Sequence, residues 1–570
     1  MKNTSKLQGA LKNYGLPLFM AVVISILPLI EFWHTQTVYS GSDLQFHINR
    51  IHELVTGLNA GNVNLISLHS FNSVGSGVQY FYPNLTLIPA VIVFLLVHNS
   101  VTAYYVSLLI YGIITFLVAE YAFDKLLKDK WLSLFGAIIF SLAFYRVFSI
   151  LGVSAFGEFI AMAWIPLVVL GYYRVINKAG WKTLWIAMVL MGYTHLLSLA
   201  LTIVILLGVT VLRLIINHKK VFSEILDYVK AAAAFVLSFL AFLVPFVLLT
   251  KQNNIATPDA TLHYDWANTF AGYYVSSFRL LSSRTLGFVF IILLVAAFFV
   301  WKYTSPKTRF VFWIALGLTF LASSDFPYFE LVHTPVANLQ FPYRFLPFAI
   351  ALLTLSAIMG LKDIADKTGK RSIIKYVIIG LSLITVVTSV ISIHKYKNQS
   401  NETFKLETGI NGHLNYKPFA QYRVDNASFD KQFNNQFNTY GGFDYWTNTA
   451  AMHKSSITNH LVYGNGKVLP SKLTKEGNRL VYTVTNGDAK RIDLPFIKYN
   501  GIPYSVKVNG KVVNISTSKR DTIEVPVSTG TSVITVQPQL NKLFVAFFII
   551  SLLGSIALLF IKTKKQNSTL

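Results

Sequence analysis

The chain has 570 residues, is 53% hydrophobic and 13% charged, and carries a net charge of +24 with no cysteine; its mean hydropathy is +0.51. Such apolarity over this length excludes a water-soluble globule and indicates a polytopic membrane protein. The lack of cysteine excludes disulfides and thiolate metal sites, and the positive charge, spread over loops and not gathered into a compact basic module, argues for anionic lipid and against nucleic acid.

A transmembrane helix needs about 20 apolar residues. Runs of that length or somewhat shorter occur at 16–32, 101–121, 131–151, 156–173, 184–193, 196–214, 231–249, 286–300, 310–321, 345–361, 373–393 and 543–561, which predicts about twelve spans. The first run is followed by no small-residue cleavage site and is expected to be retained as an anchor. Basic residues cluster in alternate loops: Lys125/Lys128/Lys130, Arg174/Lys178/Lys182, Arg213/Lys219/Lys220, Lys302/Lys307/Arg309, Lys362/Lys367/Lys370/Arg371/Lys375 and Lys562/Lys564/Lys565. Because such loops stay in the cytoplasm, both termini are expected inside. Segment 85–97 breaks the parity of this arrangement. It is predicted to be a juxtamembrane or re-entrant helix of the outer leaflet, opened by Tyr82-Pro83 and closed by His98-Asn99-Ser100.

This topology leaves the loop 34–100 and the region 394–540 outside, and divides the chain into a transmembrane domain (1–393), an extracytoplasmic β-rich domain (394–540) and a last span with cytoplasmic tail (541–570). Alternating residues at 479–485, 504–508, 522–527 and 532–536, separated by Asn486-Gly487, Asn500-Gly501, Asn509-Gly510 and Thr529-Gly530, predict a small antiparallel β-sandwich. Ahead of it, Tyr440-Gly441-Gly442-Phe443-Asp444-Tyr445-Trp446 could stack on sugar rings or simply pack in a core. The expected fold is mainly α, a polytopic helical bundle with juxtamembrane helices and a C-terminal extracytoplasmic β-sandwich before the last span.

Three polar constellations lie at predicted outer boundaries. In Gly41-Ser42-Asp43-Leu44-Gln45-Phe46-His47-Ile48-Asn49-Arg50, a helix starting at Asp43 puts His47 and Arg50 on the same face. One reading makes this an acid-base site; the other makes it a capped interfacial helix whose Arg50 meets lipid phosphate. Glu158 opens the span after Ser154-Ala155-Phe156-Gly157, either as a working carboxylate or as one favoured by the helix dipole. Arg344, in Phe341-Pro342-Tyr343-Arg344-Phe345, suits a bidentate grip on phosphate or snorkelling to headgroups. His195, at an outer hairpin, and His263, Arg279 and Arg284 are weaker candidates. His47, His52 and His69 form no metal-ligand pattern, and no nucleotide-binding glycine loop occurs. No resident cofactor is expected; a divalent cation held by Asp43 and Glu158 stays an open alternative.

Gly41-Ser42-Asp43 with His47, Tyr80-Phe81-Tyr82-Pro83, Asp129-Lys130, Phe156-Gly157-Glu158 and Gln340-Phe341-Pro342-Tyr343-Arg344-Phe345, in this order, resemble the GT-C superfamily of lipid-linked-sugar glycosyltransferases. They resemble more closely the bacterial membrane family labelled "6-pyruvoyl-tetrahydropterin synthase-related", common in Gram-positive bacteria; the zinc-histidine cluster of the soluble synthase is missing, so no pterin chemistry is expected. The resemblance implies a GT-C-like fold and an inverting, multi-pass cell-membrane enzyme. It would transfer a sugar from a polyprenyl-phosphate donor to an envelope glycopolymer or glycolipid, with Asp43 and Glu158 catalytic and His47, Arg50, Tyr82, His195 and Arg344 binding substrate. The rival functions are a noncatalytic scaffold that binds envelope polymer and a lipid or polysaccharide transporter.

Overall fold

The computed structural model describes residues 2–256, 258, 261–403, 405–407, 422–432 and 442–561. The molecule is mainly helical. Among the described residues, seven helices are long and apolar enough to cross a membrane: Gly15–Trp33, Ser100–Leu127, Leu196–Phe222, Ile225–Gln252, Pro342–Thr368, Arg371–Asn401 and Lys542–Phe560. Two further crossings are bent pairs, Lys130–Ser141 with Phe144–Leu151 (42°) and Phe156–Met162 with Ile165–Ile176 (41°). The remaining predicted spans are helical but short: Lys182–Gly192 has 11 residues, Phe288–Val300 has 13 and Pro306–Leu321 has 16. At about 1.5 Å rise per residue the first two fall well below the roughly 30 Å of a hydrocarbon core. Length therefore supports seven to nine of the expected twelve crossings.

Local chemistry sets the helix ends. Asn99 caps Ser100–Leu127 through Thr102 N, Asp129 caps Lys130–Ser141 through Trp131 N and Leu132 N, and Asn541 caps the last helix through Leu543 N. Ile88–Leu96, inside the predicted juxtamembrane segment, has 9 residues and is too short to cross.

The long helices give the bundle two distinct ends. At one end the basic loops meet: Lys362 Nζ donates to Leu127 O (2.7 Å), Lys182 Nζ donates to Leu559 O (2.8 Å), and Arg213 grips Glu224 with two hydrogen bonds of 2.7 and 2.8 Å. Ser100–Leu127 spans about 42 Å at helical rise, so its Ser100 end lies far from that cluster. There Ser100 N donates to Asn426 Oδ1 (2.7 Å), and a three-stranded sheet joins Val38–Ser40 antiparallel to Tyr422–Val424, which pairs parallel with Lys405–Glu407.

The Arg371–Thr403 helix continues past the boundary expected at 393. The polar stretch 394–403 contains no glycine or proline. Tyr396 also holds it against the bundle through Phe32 (6.3 Å) and Phe148 (6.0 Å).

The C-terminal β region is two five-stranded antiparallel sheets. One runs Lys511–Val512, Tyr504–Val508, Gly530–Pro538, Arg479–Asn486, Ser471–Glu476; the other runs Ser516–Thr517, Thr522–Pro526, Arg491–Ile497, Val462–Gly464, Lys467–Leu469. Period-two alternation buries Leu480, Tyr482, Val484, Ile534 and Val536 from one sheet and Ile492, Leu494, Phe496, Ile523 and Val525 from the other. Asn509-Gly510, both at positive φ, turns the hairpin between Tyr504–Val508 and Lys511–Val512.

This core extends through Ile66, Leu68, Val74, Tyr80, Phe81 and Leu249, so the sandwich rests on the 64–82 loop and on the end of Ile225–Gln252. Tyr440 and Gly441 of the predicted sugar-stacking segment lie outside the described residues. Trp446 from that segment is core, packed edge-on to Phe443 (5.1 Å), and Tyr445 stacks on Phe81 (5.7 Å). Buried Glu53 fixes the shape of the loop beneath, accepting hydrogen bonds from Asn64 Nδ2, Leu68 N, His69 N, Ser70 N and Ser70 Oγ between 2.7 and 3.0 Å.

Candidate functional site

The Gly41-Ser42-Asp43 segment is joined at the backbone to the turn before Glu158. Gly41 N donates to Ser154 Oγ (3.1 Å) and Asp43 N to Val153 O (3.0 Å). A Cβ at Gly41 would collide with the Val153 backbone, so this approach requires glycine. Asp43 stands at the N-cap of Leu44–Asn59, yet its carboxylate caps no backbone N–H of that helix. It is half-buried and accepts from Ser42 Oγ at 2.8 Å. The capping reading therefore fails, and the carboxylate faces the site.

Glu158 lies in the first turn of Phe156–Met162 and accepts from Tyr145 Oη at 2.7 Å. Beside it, a Cβ at Gly157 would strike Tyr82 Oη. Tyr82 anchors a ring cluster, 5.7 Å from His47 and 5.9 Å from His195, with the Arg50 guanidinium 4.2 Å from its centroid. Arg50 is 1% exposed and donates to Tyr82 O (3.1 Å) and Pro83 O (2.5 Å). It holds the Tyr82-Pro83 bend from behind.

The shared helical face of His47 and Arg50 thus turns into protein, against Tyr82 and Phe156, while Asp43 stays reachable. His195 Nδ1 caps Leu196–Phe222 and sits 2.8 Å from Ser198 Oγ.

Arg344 comes from the turn Pro342–Phe345. Its Nη1 donates to Leu339 O (2.8 Å) and Gln340 Oε1 (2.7 Å), and its guanidinium lies 4.9 Å from the Phe341 centroid. Arg284 approaches from the opposite chain segment, 4.7 Å from the Tyr343 centroid. The bent 130–151 crossing anchors that segment: its break frees Phe144 N and Tyr145 N, which donate to Leu286 O (3.3 Å) and Thr285 O (3.0 Å).

Charges converge here. Asp43 feels Arg344, and Glu158 feels Arg344, Asp43 and Arg284. All four, with Tyr82 and His195, are half-buried. Among the described residues neither carboxylate forms an ion pair, while Nε of Arg284 and of Arg344 is buried without a hydrogen-bond partner.

Burial pushes the Asp43 carboxyl above the ordinary carboxylate range, partly opposed by the Ser42 hydrogen bond and the Arg344 charge. Burial, then the charges of Arg50 and His195, holds His47 well below the usual imidazole value. Burial, then Arg344 and Arg50, brings His195 down to about 3. Both shifts favour the neutral imidazole.

Arg284, Tyr145 and Tyr343 are parts of the site that spacing alone does not reveal. Arg284 was only a weak candidate, and the one signal available was an arginine just ahead of an apolar run. Asp43 and Glu158 supply two carboxylates, but no group of three His, Cys, Asp or Glu side chains disposed to hold a metal ion occurs among the described residues.

No curated protein matches the chain. Among solved structures it is similar to the arabinofuranosyltransferase AftD from Mycobacteria, with 13% identity and a TM-score of 0.43 over 68% of this chain; it spans 27% of that one. Residues 73–429 match the family model of the bacterial membrane protein YfhO, an interval that contains Tyr82, Glu158, His195, Arg284 and Arg344 and begins after Asp43. That interval is more than half of the sequence, and the chain belongs to the YfhO family of bacterial membrane proteins.

Proposed function

We propose that this protein is a membrane glycosyltransferase that moves a sugar from a polyprenyl-phosphate donor to a hydroxyl of an envelope glycopolymer or glycolipid. The observation that carries this reading is the unpaired meeting of two carboxylates and two guanidiniums at one end of a helical bundle. A half-buried site of opposite charges that form no ion pair with one another suits a ligand with both a hydroxyl to deprotonate and a phosphate to grip.

Asp43 takes the proton of the acceptor hydroxyl. The oxygen attacks the anomeric carbon, and the bond from that carbon to the phosphate oxygen breaks with its electron pair passing to the phosphate. In-line attack inverts the anomeric centre. Phosphate is a good leaving group, so no strong general acid is needed. Glu158, oriented by Tyr145, sits where it orients the acceptor; Arg344 meets the phosphate. Tyr82, backed by Arg50, His47 and His195, forms the wall against Gly157.

By the positive-inside rule, the basic loops collected at the opposite end support the reading in which the site and the β region face outward and the termini lie in the cytoplasm. Donor and acceptor then meet at the outer leaflet.

A transporter would place broken helices at corresponding positions of two repeated halves. The two bent crossings here follow one another within 130–176. The discriminating experiment is purified protein in vesicles with a polyprenyl-phosphate sugar: transfer that is abolished by Asp43→Asn with folding intact supports the reading. Full transfer by Asp43→Asn refutes it.

A further inference from the structure

We infer that Arg284 and Arg344 together form a two-guanidinium clamp for a phosphate monoester, so that this site binds the departing lipid phosphate more tightly than the diester donor. The inference rests on the glycosyl-transfer reading for its place in a reaction, but its geometry stands alone. Arg344 and Arg284 reach the site from segments about 60 residues apart in sequence, and both act on the same two neighbours, Glu158 and Tyr343.

Each guanidinium rests on an aromatic face: Arg284 is 4.7 Å from Tyr343 and 5.5 Å from Trp266, and Arg344 is 4.9 Å from Phe341. Those rings are themselves layered, Phe341 on Tyr343 at 5.1 Å and 16°, and Trp266 on Phe341 at 5.4 Å and 23°. A ring face holds a guanidinium by its plane and leaves the in-plane N–H donors pointing outward.

Arg344 Nη1 is engaged by Leu339 O and Gln340 Oε1, whereas the Nε groups of both arginines are buried and unpartnered and remain for an acceptor of high charge. Carboxylates are at hand and do not fill this role, since among the described residues neither Asp43 nor Glu158 pairs with either arginine.

The charge count selects the ligand. A glycosyl phosphodiester carries one negative charge; the monoester that leaves carries nearly two at neutral pH. During transfer the acceptor proton neutralises Asp43, and the electron pair of the broken bond adds a negative charge to the phosphate. One negative charge has moved from the carboxylate to the phosphate. A second guanidinium meets the charge that appears only as the bond breaks, which is where binding accelerates reaction. Arg344 alone would suffice for the diester.

The test measures binding of farnesyl phosphate, a monoester, against phosphatidylglycerol, a headgroup diester, to the detergent-purified full chain and to Arg284→Gln and Arg284→Lys. We expect wild type to prefer the monoester by about tenfold or more. Arg284→Gln should erase that preference by lowering monoester affinity more than diester affinity, and Arg284→Lys, which keeps the charge but not the planar fork, should recover part of it. Equal wild-type affinity for the two lipids, or an Arg284→Gln protein that keeps the preference, overturns the clamp. Should both substituted proteins fail to fold, the wild-type preference decides. The two readings part cleanly: monoester preference without sugar transfer from any donor leaves the clamp and removes the transferase, whereas Asp43-dependent transfer without the preference does the reverse.

Discussion

The two ends of the bundle treat opposite charges in contrary ways. At the basic end Glu224 is 1% exposed and closed by Arg213 through two bonds of 2.7 and 2.8 Å, with Tyr228 Oη 3.3 Å from Arg213 Nη1. In the β region Arg520 and Asp493 close at 2.8 Å, and Glu53 is saturated by its loop. At the other end Asp43, Glu158, Arg284 and Arg344 lie within range of one another and stay open. A buried ion left without its partner is costly, and at Glu224, Asp493 and Glu53 the fold satisfies the carboxylate. The open cluster is maintained by other means, with ring faces beneath the arginines and one hydroxyl on each carboxylate; under the proposed function these are the charges kept for a ligand.

Asp43→Asn probes the contrast most strongly. Transfer should fall by about 10²- to 10⁴-fold with the melting temperature unchanged, measured as turnover per folded molecule; a shift in melting with normal turnover would place Asp43 among the fold-holding charges. Glu224→Ala should do the opposite, costing about 3 kcal/mol of stability while the surviving folded protein keeps its specific activity. Gly157→Ala pushes a methyl into Tyr82 Oη and should lower turnover by roughly tenfold, and Gly157→Ala combined with Tyr82→Phe should recover part of the loss. If the double variant is as poor as the single, the clash is not the cause.

The smallest effect is one of pH. Asp43 must be ionised to accept a proton, and burial raises its pKa, so the acid limb of kcat/KM should lie above the ordinary carboxylate range, with activity lost as pH falls through it. Arg344 opposes that rise, so Arg344→Gln should move the limb to higher pH. Movement to lower pH would contradict the placement of the two groups.

Much of the architecture could be read in advance because its signals are local. Apolar windows marked each of the long apolar helices among the described residues, and Asn509-Gly510 marked a hairpin. What failed was length: Lys182–Gly192 and Phe288–Val300 are helices, but too short to satisfy a spanning criterion by themselves. The Arg371–Thr403 helix also runs past 393, since a polar helix persists where no breaker stops it and packing such as that of Tyr396 favours it. In the site, helical spacing predicts Asp43, His47 and Arg50 on one face, whereas Asp43 stays reachable and His47 and Arg50 turn into protein; spacing cannot say what the His47–Arg50 face meets. It meets Tyr82 and the carbonyls of the Tyr82-Pro83 bend.

The sequence by itself determined a polytopic helical membrane protein with a C-terminal β region, since hydropathy and charge act residue by residue against a solvent of fixed thickness. It also singled out Asp43, Glu158 and Arg344 as polar groups in costly places. Only the tertiary structure decided that these groups lie within electrostatic reach of one another, that Gly41 and Gly157 permit the approach, and that Arg284 and Tyr145 stand beside them. Those facts depend on which side chains meet across distant segments, and a contact of that kind is set by packing of the whole bundle and leaves no mark in local sequence.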